Sequence, residues 1–356
     1  MCGENYFENL IGYVDSHSEF FSGEWARFEE TFKEAVNPAN PEEGYLTWLK
    51  TIAKYHIDEE TGSPYWIHKA KNNGITPGKI DSTQTIEELV GLLGDSDIET
   101  LKAENGYTEH YKPRKISVEK LYKSSSSGTT GEPKTVYHTH QSLTVSAINE
   151  YTGIKAQYDH KELRGRTLLA SGPLGAYQEE HRVLAHLLEM EYVENGFETR
   201  GLKLLPPQEI QKALSKPMEK IYQHLQRGIG LMTATSETLE RLPEQLLRNA
   251  KLIKLSGTKI NMELVGQLKT KSINTIPMYG HYAGKSSIGF YSSEEIAYYP
   301  SYPLTQYLLN QKQRSRIKLI VAQPELLLIS SEDYAHTAPT NKYFKPLSGI
   351  ANPTRT

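Results

Sequence analysis

The chain has 356 residues, 37% of them hydrophobic, which is enough for one large domain or two ordinary ones with a filled core. Its 40 basic and 43 acidic residues give a formal net charge of -3 and form no long single-sign blocks, which argues against nucleic acid or a membrane surface as a partner. The single cysteine, Cys2, leaves no disulfide framework and no thiolate metal site, and without an apolar leader or spanning run the expectation is a soluble, cytoplasmic protein.

Residues 1–60 are rich in aromatic and acidic side chains, and apolar spacing over 24–35 and 45–55 predicts peripheral helices. Thr85, with Glu88 three residues on, is a capping-box pattern that opens a short helix through Ile86, Leu89, Val90, Leu92 and Leu93. From about residue 116, β-prone and helical segments alternate. Strands are predicted at 167–170, 251–255, 273–278, 317–321 and 325–329, and helices at 178–190, 238–248 and 262–268. Pro206, Pro207 and Pro217 read as punctuation of a surface connection. Glu179, Glu180, His181 and His186 lack the spacing of a metal site and read as a solvated helix face with one half-buried histidine. The whole is an α/β chain, with a helical segment at 1–60 and a core at 61–356 of two sub-lobes without a clear linker.

The stretch with the most chemistry runs from Lys123 to Lys134, and within it Ser126, Ser127, Gly128, Thr129, Thr130 and Gly131 can offer amides and hydroxyls to a phosphate. Lys134 adds a point charge. The common P-loop is excluded, because Glu132 follows Gly131 where that motif has Lys and then Ser or Thr. His138 and His140 form an H-x-H pair, a weak pattern for zinc.

Ser127 to Lys134, continued by Thr139 and His140, resembles the signature loop of the ANL superfamily of adenylate-forming (AMP-binding) enzymes. Ser63 to Trp66, Gly74 to Thr76 and Ile86 to Leu89 look like the N-terminal region of phenylacetate–CoA ligase-like members. The resemblance implies a fold: a large N-terminal ANL domain of mixed β-sheets flanked by helices. It also implies that Ser256, Gly257 and Thr258 form a small-residue turn beside adenine, and that Tyr279 and Gly280 form the Tyr-Gly turn beside the acyl-adenylate. The expected catalytic set is Lys134, His140 and Lys285.

Three departures stand out. The family's Mg²⁺-holding glutamate is replaced by Ala283, which cannot ligate a hard cation, and Lys285 is a candidate to neutralise polyphosphate in its stead. The ribose-holding aspartate has no clear counterpart, Asp333 standing too early. The chain ends at Thr356, leaving no room for the mobile C-terminal domain and its lysine.

The expected function is therefore an AMP-forming, acid–thiol-ligase-like activity in which ATP and a small carboxylic acid form an acyl-adenylate. CoA or a carrier protein, with a separate C-terminal domain, would serve the second half-reaction. The acyl pocket is expected between 167–190 and 279–290, with an aromatic acid as the guess the resemblance supplies. The alternative is a non-catalytic nucleotide- or acyl-adenylate-binding regulator.

Overall fold

The computed structural model describes residues 5–37, 39–126, 132–197, 206–256, 260–292, 295–309, 315–330, 333–338, 341–344, 347 and 349–355. Fifteen strands occur among them: β1 Tyr122–Ser125, β2 Thr135–His138, β3 Thr167–Pro173, β4 Glu191–Phe197, β5 Ile229–Ala234, β6 Ala250–Leu255, β7 Thr275–His281, β8 Lys285–Tyr291, β9 Ile296–Tyr299, β10 Thr305–Leu308, β11 Ser315–Arg316, β12 Lys318–Gln323, β13 Leu326–Ser330, β14 Asp333–Ala338 and β15 Gly349–Arg355.

Ten strands make one mixed sheet in the order β11-β14-β15-β9-β8-β7-β6-β5-β3-β4. From β4 to β7 neighbouring strands are parallel, and from β7 to β11 they are antiparallel, so β7 is the junction. Every residue of β5 is buried, as a parallel strand covered on both faces requires. β10, β12 and β13 form a three-stranded antiparallel sheet, and β1 and β2 form a separate hairpin.

The predicted strands all appear. Thr85 caps the helix Ile86–Leu93 by accepting from the Glu88 amide at 3.1 Å, while the Glu88 carboxylate reaches one residue further back, to the Gln84 amide. Two expectations change. The helix predicted over 238–248 is two, Ser236–Glu240 and Glu244–Leu247, because Pro243 lacks the amide that would continue the first. The proline-marked connection is a helix, Pro207–Arg227: Pro207 sits in its first turn, where proline is well tolerated, and Ile221 and Leu225 bury its inner face around the interior Pro217.

Helices from residue 5 to 57, expected at the periphery, send Tyr6, Phe7, Trp25, Phe32 and Trp48 into the same core cluster as Leu168, Leu231 and Ile320. Trp48 donates its indole N–H to the Ala322 carbonyl at 2.9 Å, and Trp66, on the next helix Pro64–Asn73, donates to Leu327 at 2.8 Å, so both helices are tied to the three-stranded sheet. A second cluster, around Ile253, Leu255 and Val321, lies apart from the first. No helix among the described residues is long and apolar enough to cross a membrane.

Candidate functional site

The Ser/Gly-rich loop joins β1 to β2, which pair antiparallel up to Ser125 and Thr135. Beyond that pair the neck is closed twice: the Ser126 amide donates to the Lys134 carbonyl at 2.9 Å, and the Lys134 amide donates to Ser126 Oγ at 2.9 Å. Ser127, Gly128, Thr129, Thr130 and Gly131 lie outside the described residues, as do Gly257 and Thr258. Lys134 is half-buried, with its ammonium 6.0 Å from the centre of the Tyr282 ring.

Gly175 presses on the hairpin. It caps the helix Ala176–Leu187 at φ 84°, and a Cβ there would stand 2.4 Å from the Lys123 carbonyl oxygen, so only glycine lets this helix start lie against β1.

Thr139 follows β2 directly and caps the helix His140–Gln157, accepting from the Ser142 amide at 3.2 Å. Its own amide donates to the fully buried Glu325 carboxylate at 2.9 Å, which anchors the hairpin to the β12–β13 turn. His140 lies at the surface, its Nδ1 3.1 Å from the Glu179 carboxylate. His138 is fully buried and so shares no metal with His140. Burial first, then the charge of Lys285, pushes its pKa well down. A neutral imidazole donates from one nitrogen only. Nε2 therefore donates to the Tyr282 carbonyl at 3.1 Å, and exchanging the amide oxygen and nitrogen of Gln323 would give Nδ1 a donor and the otherwise unpartnered Gln323 amide an acceptor.

Tyr279 and Gly280 are on β7. The Tyr279 hydroxyl donates to the Asp333 carboxylate, and its ring packs against Tyr298 and Tyr307, with centroids 5.7 Å and 6.5 Å away. Tyr279, His281, Tyr307, Ile317, Leu319 and Asp333 line a narrow cleft. Gly280 faces open space, since a Cβ there would meet nothing within 4 Å. Ser256 directly follows β6, its amide bonded to the Ala234 carbonyl at 2.9 Å.

Behind these residues is a group of buried charges that reasoning from sequence missed. Lys254, in the apolar run of β6, donates to Glu150 Oε2 at 2.6 Å and to His181 Nε2 at 2.5 Å. His181 Nδ1–H in turn donates to the Tyr177 carbonyl at 2.6 Å, so the ring is neutral, and burial, then Lys254, lowers its pKa to about 3. Burial works to raise the Glu150 carboxyl, but Lys254 and His181 outweigh it and hold the group below its ordinary value. Glu180 accepts from Ser146 Oγ, and burial, then Glu150, pushes its pKa up to about 7. The solvated-face expectation is corrected here: Glu180 and His181 point inward, and only His186 and Arg182 of that stretch are exposed. The spacing carried the signal, since Glu180 shares a stripe with Val183, Leu184 and Leu187 at i+3, i+4 and i+7.

Lys285 begins β8 with 5% of its surface exposed. Burial lowers its pKa to about 7, against the pull of Glu180 and then Glu325. Its burial excludes a solvated surface position for this lysine. Ala283, where the resemblance would place a metal-holding glutamate, is fully buried and offers only a methyl group. The residues present do not fit Mg²⁺ at that position.

No known family profile and no curated protein matches the chain. Solved structures do. The chain is similar to 2-hydroxyisobutyryl-CoA ligase in an open conformation with 2-HIB-AMP and CoA, at a TM-score of 0.61 and 12% identity over 89% of this chain and 75% of that one. It is similar to the same ligase in the postadenylation state with R3-HIB-AMP, at 0.62 and 12% over 89% and 68%. The chain has the ANL fold. The ANL resemblance of the Ser/Gly-rich loop is thus met at the level of architecture, a mixed sheet flanked by helices, and the chain spans between 68% and 75% of these ligases' length. Within that ANL fold the β1–β2 hairpin, the ends of β6 and β7 and the start of β8 bring Ser126, Lys134, Ser256, Tyr279, Gly280 and Lys285 onto neighbouring elements, while His140 stays at the surface.

Proposed function

We propose that the protein binds ATP and activates a small carboxylic acid as its acyl-adenylate, releasing pyrophosphate. The observation that carries this reading is the hairpin neck at Ser126 and Lys134, closed by two hydrogen bonds at the base of a segment whose sequence has phosphate-binding composition, in a fold shared with a ligase solved with AMP-linked acids. Ser126, Ser127, Gly128, Thr129, Thr130, Gly131 and Lys134 would cradle the phosphates. Ser256, Gly257, Thr258, Tyr279 and Gly280 would frame the base. The carboxylate oxygen attacks the α-phosphorus in line, and the enzyme contributes position and charge rather than a covalent intermediate. CoA or a carrier protein would accept the acyl group afterwards.

Exchange of labelled pyrophosphate into ATP, dependent on an added carboxylic acid, tests the reading, and loss of that exchange in Lys134→Ala is expected. Ala283 favours a second reading, a nucleotide-binding protein without turnover; ATP binding with no exchange for any acid would select it.

A further inference from the structure

Lys285 is an unusual residue for its place. It closes the β7–β8 turn opposite His281 at φ 64°, a left-handed conformation that glycine adopts freely and that costs a lysine roughly 1 kcal/mol or more. The turn has its own support, since the Ala283 and Gly284 amides both donate to His281 Nδ1, at 3.2 Å and 3.1 Å. Nothing in that support needs a lysine. The side chain is nonetheless 95% enclosed, and among the described residues its ammonium makes no hydrogen bond or ion pair. A buried cation without a partner is expensive, and proteins keep one where a ligand completes it.

The surroundings narrow the ligand. Glu180 from the helix Ala176–Leu187 and Glu325 from the β12–β13 turn act on the ammonium from beyond ion-pair distance, and the buried His138 of β2 adds no charge. Behind Glu180 stand Glu150, Lys254 and the neutral His181. Beside Glu180 and Glu325 a triphosphate would bring several charges into repulsion for one pairing with Lys285, whereas a monoanion brings a single charge to a single cation. We propose that Lys285 is the anchor for the carboxylate of the acid substrate, which pairs with the ammonium at the start of β8. The inference rests on the adenylation reading for the identity of the substrate, but makes its own claim about binding. A carboxylate that pairs with the amine also stabilises its charged form, so the acid is bound with uptake of a proton near neutral pH.

Titration calorimetry with acetate, butyrate, succinate and phenylacetate, with their amides, and separately with ATP tests this on the full chain. The expected result is binding of at least one carboxylate and not its amide, with proton uptake seen as a heat that changes between buffers of different ionisation enthalpy. Lys285→Met should weaken that binding tenfold or more and leave ATP binding within twofold, while Lys285→Arg recovers part of it. A thermal melt of each variant checks folding, and Lys285→Gln serves if the Met variant does not fold. Absence of carboxylate binding to the parent protein, equal binding by the variants, or loss confined to ATP would each overturn the assignment. Failure of the adenylation reading has a different signature: carboxylates still bind through Lys285, yet no acid supports pyrophosphate exchange.

Discussion

Lys254 and Glu150 meet at 2.6 Å with 2% and 0% of their side-chain surface exposed, so the pair is a fully desolvated ion pair inside the core. Such a pair is retained less for net stability than because losing one partner strands the other. Lys254→Met should cost roughly 3 to 5 kcal/mol in chemical denaturation, whereas the double change Lys254→Met with Glu150→Leu should recover most of that loss. If the double variant is as unstable as the single one, the pair contributes by another route.

Lys285 makes a prediction about stability against pH. In the folded chain its amine loses a proton near 7 rather than near its ordinary 10.5, so between those values the unfolded state binds more protons and stability rises with pH. Lys285→Met removes this penalty. Relative to the parent it should gain on the order of 3 to 5 kcal/mol at pH 6, and the gain should shrink toward zero as pH approaches 10.5. Glu180 has the opposite sign: its carboxyl, raised from 4.5 to about 7, favours the folded state below 4.5, and that contribution is lost as pH rises through 7. Urea melts of both proteins at several pH values would show a constant difference if Lys285 kept an ordinary pKa.

Gly175→Ala should damage the hairpin specifically. The added methyl meets backbone at 2.4 Å, and the φ of 84° is itself unfavourable for alanine. A loss of about 2 kcal/mol or more is expected, together with a rise in the KM for ATP in the exchange assay. Gly280→Ala is the control, because its Cβ has room, and it should leave stability within about 0.5 kcal/mol.

Tyr279→Phe removes the hydroxyl that donates to Asp333, a carboxylate only 7% exposed. The expected cost is roughly 1 to 3 kcal/mol, the desolvation of an acceptor left without its donor. Asp333→Asn, which still accepts that bond, should cost less. A thermal melt ranks the two, and the opposite order would place the main contribution of Asp333 elsewhere than in this bond.

How much of this was legible beforehand divides along range in the chain. The helix start at Thr85, the strands 251–255 and 317–321, and the composition of the phosphate loop rest on contacts within a few residues, and these the sequence by itself determined. Pairing between Lys254 and Glu150, 104 residues apart, between Tyr279 and Asp333, 54 apart, and between Thr139 and Glu325, 186 apart, was decided only by the tertiary structure. Local pattern reports which face of an element is apolar but not which charged residue on that face will find a buried partner, because the energy of burying a charge depends on what the rest of the chain brings beside it. Lys285 shows the limit most clearly: nothing in its sequence context marked it as buried, and the tertiary packing around the start of β8 made it a buried cation.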